Sequence, residues 1–293
     1  MEVANNRLSA LESEKSALTL LRKTGVFLTN GMLMLFTLSC VFPIVWLSYS
    51  SLKTKEEFAG SIVSLPKTLQ FSNYVEAFRT IQMELLIFNS IRNTVISVLF
   101  VVVISFVTGY FLSRFEFRGK RLIYYYYVFG LLVPIHALLV PVYLLFNKTG
   151  MVNQWYTLLI PLIGYSLSFP IFLVESYIRG IPREMEEAAA IDGCSFARTL
   201  FTIIFPMTMP AVTTVAILQF FACWNEFSFA LILINDEHLR TVPLGLTSFG
   251  NRYDTNYPLL MAAMMIALLP VALVYFSFSS KIIKGVGAGS VKG

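Results

Sequence analysis

Few residues in this 293-residue chain are equipped for chemistry, and their types and spacing narrow what that chemistry is. Its only histidines are His136 and His238, and Cys40, Cys194 and Cys223 show no paired spacing, so no ligand set is laid out for a metal. No GxxxxGK[ST] loop, no GxGxxG after a strand, no GxSxG and no HExxH occurs, so this chain is expected to carry no ATPase site and no hydrolytic centre of its own. What remains is a carboxylate in apolar surroundings. Glu226 follows Phe220, Phe221, Trp224 and Asn225 in a run otherwise free of charge. An ionisable group inside a membrane is a functional candidate by default, whereas the same group at the membrane edge, beside a tryptophan, is an interfacial anchor that snorkels to water. Both accounts stay open on these residues alone. A second stretch, EEAAAIDGCSFARTLFTIIFP at residues 186–206, combines acids, alanines, a glycine and a proline between segments that are otherwise overwhelmingly apolar.

The elements that must hold these residues follow from composition. Hydrophobic residues make up 56% and charged residues 13%, with mean hydropathy +0.70, more apolar surface than one soluble core of this size uses. The net charge of +5 does not indicate nucleic acid, because the Lys and Arg residues sit in short clusters beside apolar runs. About 20 apolar residues cross a ~30 Å hydrocarbon core. Residues 25–52, 93–113, 122–147, 151–174, 209–234 and 255–280 qualify, the fifth run broken only by Glu226. The expected fold is therefore an all-α polytopic membrane protein with six transmembrane helices. A polar tail, 1–24, precedes the first run, and that run is read as a retained span rather than a cleaved leader. With the N-terminus in the cytosol, fourteen Lys and Arg residues lie inside and eight outside, the direction the positive-inside rule demands. Both termini and residues 181–206 are then cytosolic, and 53–88 is extracytoplasmic. Pro43, Pro134, Pro141, Pro161, Pro170 and Pro270 fall within or at the ends of the runs, where each removes a helix hydrogen bond.

Residues 181–206 read as two short helices with a bend. Pro182 suits a first turn, Glu184, Glu186 and Glu187 complement the positive helix N-terminus, and Gly193 is the left-handed stop. Ile181, Met185, Ala188 and Ala189 share one face by spacing. Ser195 caps a second helix, whose Phe196, Leu200, Ile203 and Ile204 repeat the spacing until Pro206.

Glu187-Ala188-Ala189, then Gly193 after three intervening residues, then Ile203 and Phe205-Pro206, resembles the EAA loop of ABC importer permeases, with Phe205 in place of a leucine. The likeness spans nearly the whole chain: Asn89-Ser90, residues 113–120 (SRFEFRGK), Pro141-Val142-Tyr143, Ile181-Pro182-Arg183-Glu184, Trp224-Asn225-Glu226-Phe227 and the terminal residues 288–293 (AGSVKG) are similar to the six-span permease of maltose-type carbohydrate importers. The resemblance implies a type I importer permease fold, with residues 89–280 as the core bundle and the loop as the coupling helix that docks on a cytosolic ATP-binding subunit. Glu186, Glu187, Ala188, Ala189, Asp192, Gly193, Ile203 and Pro206 are the coupling positions it implies. It also implies that the tail 281–293 contacts the ATP-binding subunit through Gly289, Ser290, Val291, Lys292 and Gly293. Implied partners are a second permease forming a heterodimer, two ATP-binding subunits that carry ATP and magnesium, an extracytoplasmic solute-binding protein, membrane lipid and a carbohydrate substrate. This chain binds no cofactor in that scheme, and it lies in the bacterial inner (cytoplasmic) membrane.

In that setting Phe220, Phe221 and Trp224 offer stacking surfaces for sugar faces, and Asn225 and Glu226 offer hydrogen-bond partners for hydroxyls. A charged Glu226 in the path would repel an anionic sugar, which favours a neutral oligosaccharide. Another polar solute is the alternative. An ion-coupled carrier would show inverted repeats and an ionisable relay, of which there is only the isolated Glu226. A membrane enzyme would need acid, base or metal groups converging at one interface, and the loops offer none in a recognisable arrangement.

Overall fold

The computed structural model of the chain describes residues 2–250 and 255–290, with side chains for 23–250 and 255–279. Every regular element among the described residues is helical, and the chain divides into two units, Met1–Phe71 and Ser72–Gly293.

In the first unit a long helix, α1 (Glu2–Ser50), leads into a short one, α2 (Lys55–Gly60). A capping box starts α2: the Thr54 hydroxyl accepts from the Glu57 amide at 3.1 Å, and the Glu57 carboxylate accepts from the Thr54 amide at 3.4 Å. The end of α1 holds the following loop by its carbonyls. Trp46 Nε1 donates to Ile62 O (3.1 Å), the Tyr49 hydroxyl donates to Val63 O (2.8 Å), and the buried Lys53 ammonium donates to Ser61 O and Ile62 O (3.1 Å each). Residues 281–293, and the expected tail 1–24 apart from Lys23 and Thr24, have no described side chains.

The second unit runs α3 (Ser72–Thr80), α4 (Met83–Arg114), α5 (Lys120–Leu132), α6 (Ile135–Lys148), α7 (Leu159–Ser166), α8 (Ser168–Arg179), α9 (Glu184–Ile191), α10 (Phe196–Arg198), a π-helical segment (Thr199–Ile204), α11 (Phe205–Trp224), α12 (Ser228–Leu233), α13 (Val242–Leu246) and α14 (Tyr257–Ser290). Helix α4 packs chiefly on α8 and α11. Its crossing with α8 is close because residue 109 is glycine: a Cβ there would lie 3.0 Å from the Glu175 amide nitrogen and 3.0 Å from Val174 Cγ1. One core cluster (Val101, Phe106, Tyr110, Val174, Ile178, Ile181, Leu200, Ile204 and Val215) joins α4, α8 and the α10–α11 run directly beneath α9. A second joins α4, α11 and α14 around Met83, Leu86, Trp224 and Ala262, and a third joins α6, α7, α11 and α12 around Phe146, Leu162, Phe229 and Leu233.

Among the described residues, four helical stretches are long and apolar enough to cross a membrane: Lys23–Ser50, Met83–Arg114, Phe196–Trp224 and Tyr257–Ser279. Two bent pairs, α5 with α6 and α7 with α8, bring the number to six if each is one span. The exposed side chains of these helices, among them Phe27, Phe36, Leu99, Phe100, Leu132 and Phe276, form apolar surface that lipid must cover.

Several boundaries differ from the sequence expectation, each for a local reason. The run expected at 122–147 is two helices meeting at 105°, because Pro134 has no amide hydrogen to donate and drives Val133 out of helical geometry to φ −80, ψ 115. The run expected at 151–174 starts as turns, becomes helical at Leu159, bends by 44° ahead of Pro170 and ends at Arg179. The run expected from 93 begins ten residues earlier, at Met83, since Asn89 and Ser90 are buried on protein partners rather than in lipid. The run expected at 209–234 starts at Phe196 and stops at Trp224. Pro206 was read as the end of a short helix, yet the chain passes it within a continuous helical run. The preceding π turn, closed by Phe205 N–H to Leu200 O, gives the proline ring the room that a regular turn would deny it.

Candidate functional site

The projecting knuckle begins where α8 ends, at Gly180-Ile181-Pro182. Three glutamates in the first turn of α9 favour its start, and the helix closes as expected at Gly193, whose φ is +75. The closure is a Schellman arrangement: the Cys194 amide donates to Ala189 O at 2.9 Å and the Gly193 amide to Ala190 O at 3.1 Å. Ser195 then caps the next helix, its hydroxyl accepting from the Arg198 amide at 3.4 Å.

The face that α9 buries is not the one its apolar spacing suggests. Ile181 and Ala189 are buried, but Met185 and Ala188 are exposed. Glu186 has taken the inward place. Its Oε2 accepts from the Tyr110 hydroxyl at 2.7 Å, and its Oε1 lies 2.6 Å from Arg114 Nε, with side chains only 19% and 7% exposed. The Nε–H is poorly aimed at that oxygen, so the contact is an ion pair more than a directed hydrogen bond. Arg114 Nη2 also donates to Ile181 O at 2.8 Å, and Arg183 Nη2 donates to Arg114 O at 3.3 Å. Two charges paired and hydrogen-bonded outrank the modest gain of burying a methionine and an alanine on this short helix.

The outer face of the knuckle therefore carries Met185, Glu187, Ala188, Asp192 and Ile191, the last 87% exposed. Of the expected coupling positions, Glu187, Ala188, Asp192, Gly193 and Pro206 are exposed, Ile203 is half-buried, and Ala189 is buried beneath the helix. Beside the knuckle, Lys120 donates to Glu116 at 2.7 Å and, with Arg183 and Arg179 adding positive charge, holds that carboxyl below its usual range. Tyr110 and Arg114 were not singled out from the sequence as partners of Glu186. The signal available was an arginine closing an apolar run within the quoted residues 113–120.

The residues expected along a substrate path do not form one surface. Trp224 is 3% exposed and stacks on Phe220, with ring centroids 5.9 Å apart and planes 17° from parallel. Asn225 is exposed, and its amide closes α11 by donating to Phe221 O at 2.9 Å. Glu226 is not within a helix. Its carboxylate accepts from the Phe229 amide (2.6 Å) and the Ala230 amide (3.2 Å), capping α12. The expected repulsion of an anionic sugar by Glu226 loses its footing, since this carboxylate is held at the α12 N-terminus. One cleft, of about 240 Å³, lies against α11 and is lined by Gly130, Tyr165, Ser166, Phe169, Gln219 and Ala222 among others. It pairs two aromatic faces with an amide and a hydroxyl. None of the five expected path residues lines it. The expected C-terminal contact is outside the described residues for Val291, Lys292 and Gly293, and the side chain of Ser290 is likewise not described. Among the described residues no group of His, Cys, Asp and Glu could hold a metal ion.

A solved bacterial ABC transporter involved in the import of the acidic polysaccharide alginate contains a chain with this fold, at TM-score 0.78 and 22% identity, over 88% of this chain and 96% of that one. A probable ABC transporter permease protein of Bacillus subtilis, YurM, is 34% identical over 261 residues, covering 89% of this chain and 87% of the relative. The diacetylchitobiose uptake system permease protein NgcG of Streptomyces coelicolor is 31% identical over 267 residues, covering 90% and 88%. Residues 101–286, from the middle of α4 through the knuckle to the last turns of α14, match the family model described as the binding-protein-dependent transport system inner membrane component. The knuckle and the bundle that holds it are thus the shared part, and by that match the chain belongs to this family, the membrane-spanning permease subunits of ABC transporters.

Proposed function

We propose that this permease imports a carbohydrate, an oligosaccharide handed over by an extracytoplasmic solute-binding protein, while separate subunits bind ATP and magnesium and perform the hydrolysis. Its partners in this reading are a second permease and two ATP-binding subunits, in the cytoplasmic membrane of a bacterium, with both termini in the cytosol. The observation that carries the reading is the knuckle: a short helix with a buried base, closed by a left-handed glycine, presenting Glu187, Ala188, Ile191 and Asp192 outward on a face that has no other partner to meet within the described chain. Small alanines permit close approach, and the flanking acids supply polar anchors for a docking cleft.

The carbohydrate class is supported by the Streptomyces relative, which is named for diacetylchitobiose uptake. It is also supported by the cleft, where Tyr165 and Phe169 offer faces for C–H patches and Ser166 offers a partner for hydroxyls. The test is uptake of labelled diacetylchitobiose and related oligosaccharides into vesicles holding the complete complex. Uptake that needs ATP, collapses without the ATP-binding subunit and survives an uncoupler is the expected result. Uptake that follows an ion gradient and ignores ATP would sink the reading.

A further inference from the structure

Among the four helices long enough to span a membrane, α4 alone contains no proline: Pro43 interrupts α1, Pro206 and Pro210 lie in the Phe196–Trp224 run, and Pro270 lies in α14. The hydrogen-bond ladder of α4 is therefore free of the proline kinks that interrupt the other three. It is also fastened by polar side chains near both of its ends. Near its C-terminus stands the Tyr110–Glu186–Arg114 cluster, which ties it to α9. Near its N-terminus the buried Asn89 amide donates to His238 O at 2.8 Å and to Arg240 O at 3.0 Å, and the buried Ser90 hydroxyl accepts from the Val242 amide at 2.8 Å. From Asn89 to Arg114 is 25 residues, or about 37 Å at 1.5 Å per residue. The two fastenings therefore sit on opposite faces of the bundle.

We propose that α4 is a strut clasped at both ends, which carries displacement of α9 to the 237–249 segment on the far face, with Glu186 as the positioning residue that fixes α9 to it. Glu186 acts on α4 in this scheme, while its neighbour Glu187 faces outward to the docking partner. Directed contacts at both ends, charge-assisted at the α9 end, joined by a proline-free helix that mates with α8 at Gly109, form a continuous physical connection between two distant surfaces. A push on the outer face of α9 cannot tilt that helix alone. It must move the end of α4, break the ion pair, or shift the π-helical segment on which α9 also packs.

This inference rests on the permease reading above, and the experiment separates the two. The complete reconstituted complex is compared as wild type, Glu186→Gln and Tyr110→Phe by three measurements: co-purification of the ATP-binding subunits, the factor by which the solute-binding protein raises ATP hydrolysis, and hydrogen–deuterium exchange across residues 237–249 with and without ATP. Wild type is expected to show an ATP-dependent change in exchange at 237–249. Both variants keep the ATP-binding subunits bound but lose stimulation by about fivefold, the low end of ordinary coupling between sites, and lose the ATP-dependent change in exchange. Tyr110→Phe removes one hydroxyl and keeps the ring, so it reports even if Glu186→Gln weakens the fold. Variants with wild-type stimulation and exchange would overturn the strut. Loss of the ATP-binding subunits from Glu186→Gln alone would also overturn it, by making Glu186 a docking contact. A wild-type complex indifferent to ATP would instead bring down the permease reading, and the strut with it.

Discussion

A Cβ at Gly193 would meet open space, yet the backbone there stands at φ +75, so any penalty for replacing this glycine is conformational rather than steric. Asparagine visits that region with little strain, and a β-branched residue does not. Gly193→Asn is therefore expected to retain coupled transport. Gly193→Val should strain the knuckle by about 1–2 kcal/mol and uncouple ATP hydrolysis from uptake, read as the ratio of sugar transported to ATP hydrolysed, with membrane insertion unchanged. Glu226 allows a second comparison. Glu226→Ala removes the acceptor for two amides at the start of α12 and should cost about 1 kcal/mol, seen as a lower melting temperature in detergent. Glu226→Gln keeps an acceptor oxygen and should melt nearer the wild type. Trp224→Ala would open the core by roughly 3–5 kcal/mol, so a fall in its uptake would report stability before sugar contact. Asn225→Ala, at an exposed position, is the milder probe: it loses one hydrogen bond, to Phe221 O, and should lower uptake with a far smaller fall in melting temperature than Trp224→Ala.

At the scale of elements, the α4–α8 crossing is a close joint, and its neighbours include a backbone nitrogen that cannot swing aside. Gly109→Ala should cost about 1–3 kcal/mol through overpacking, measured as thermal or denaturant unfolding in detergent. The same comparison of elements explains what could be read from the chain beforehand. The αL stop at Gly193 and the cap at Ser195 were legible because each depends on a residue and its immediate neighbours. The bend at Val133-Pro134 was only half legible: the proline was visible, but whether it would kink a span or break it by 105° depends on what packs on either side. Glu226 was misplaced within a span because an apolar run continues on both sides of it, and periodicity does not show where a helix stops when no glycine marks the end. The inward turn of Glu186 was hidden for a different reason. Its partners, Tyr110 and Arg114, lie more than seventy residues upstream, and no local pattern pairs them.

At the scale of the whole molecule, an all-α membrane chain was evident from hydropathy, and the family from short signatures in the right order, because both are sums over many residues that tolerate local errors. The cleft was not evident, since its lining comes from α5, α7, α8 and α11, and only the folded chain brings these together. One feature of the knuckle reaches beyond transport. Ile191 stands 87% exposed on a helix flanked by Glu187 and Asp192, a position that the rest of the described chain does not cover. A subunit made in excess of its partners would hold that isoleucine in water, which is the kind of mark that chaperones and membrane proteases read. Assembly would then protect the chain as well as activate it. Expressed alone, Ile191→Gln should outlast the wild-type chain in a pulse–chase measurement, and the difference should vanish when the ATP-binding subunit is supplied, because the surface that couples the transporter is also the surface that reports it unfinished.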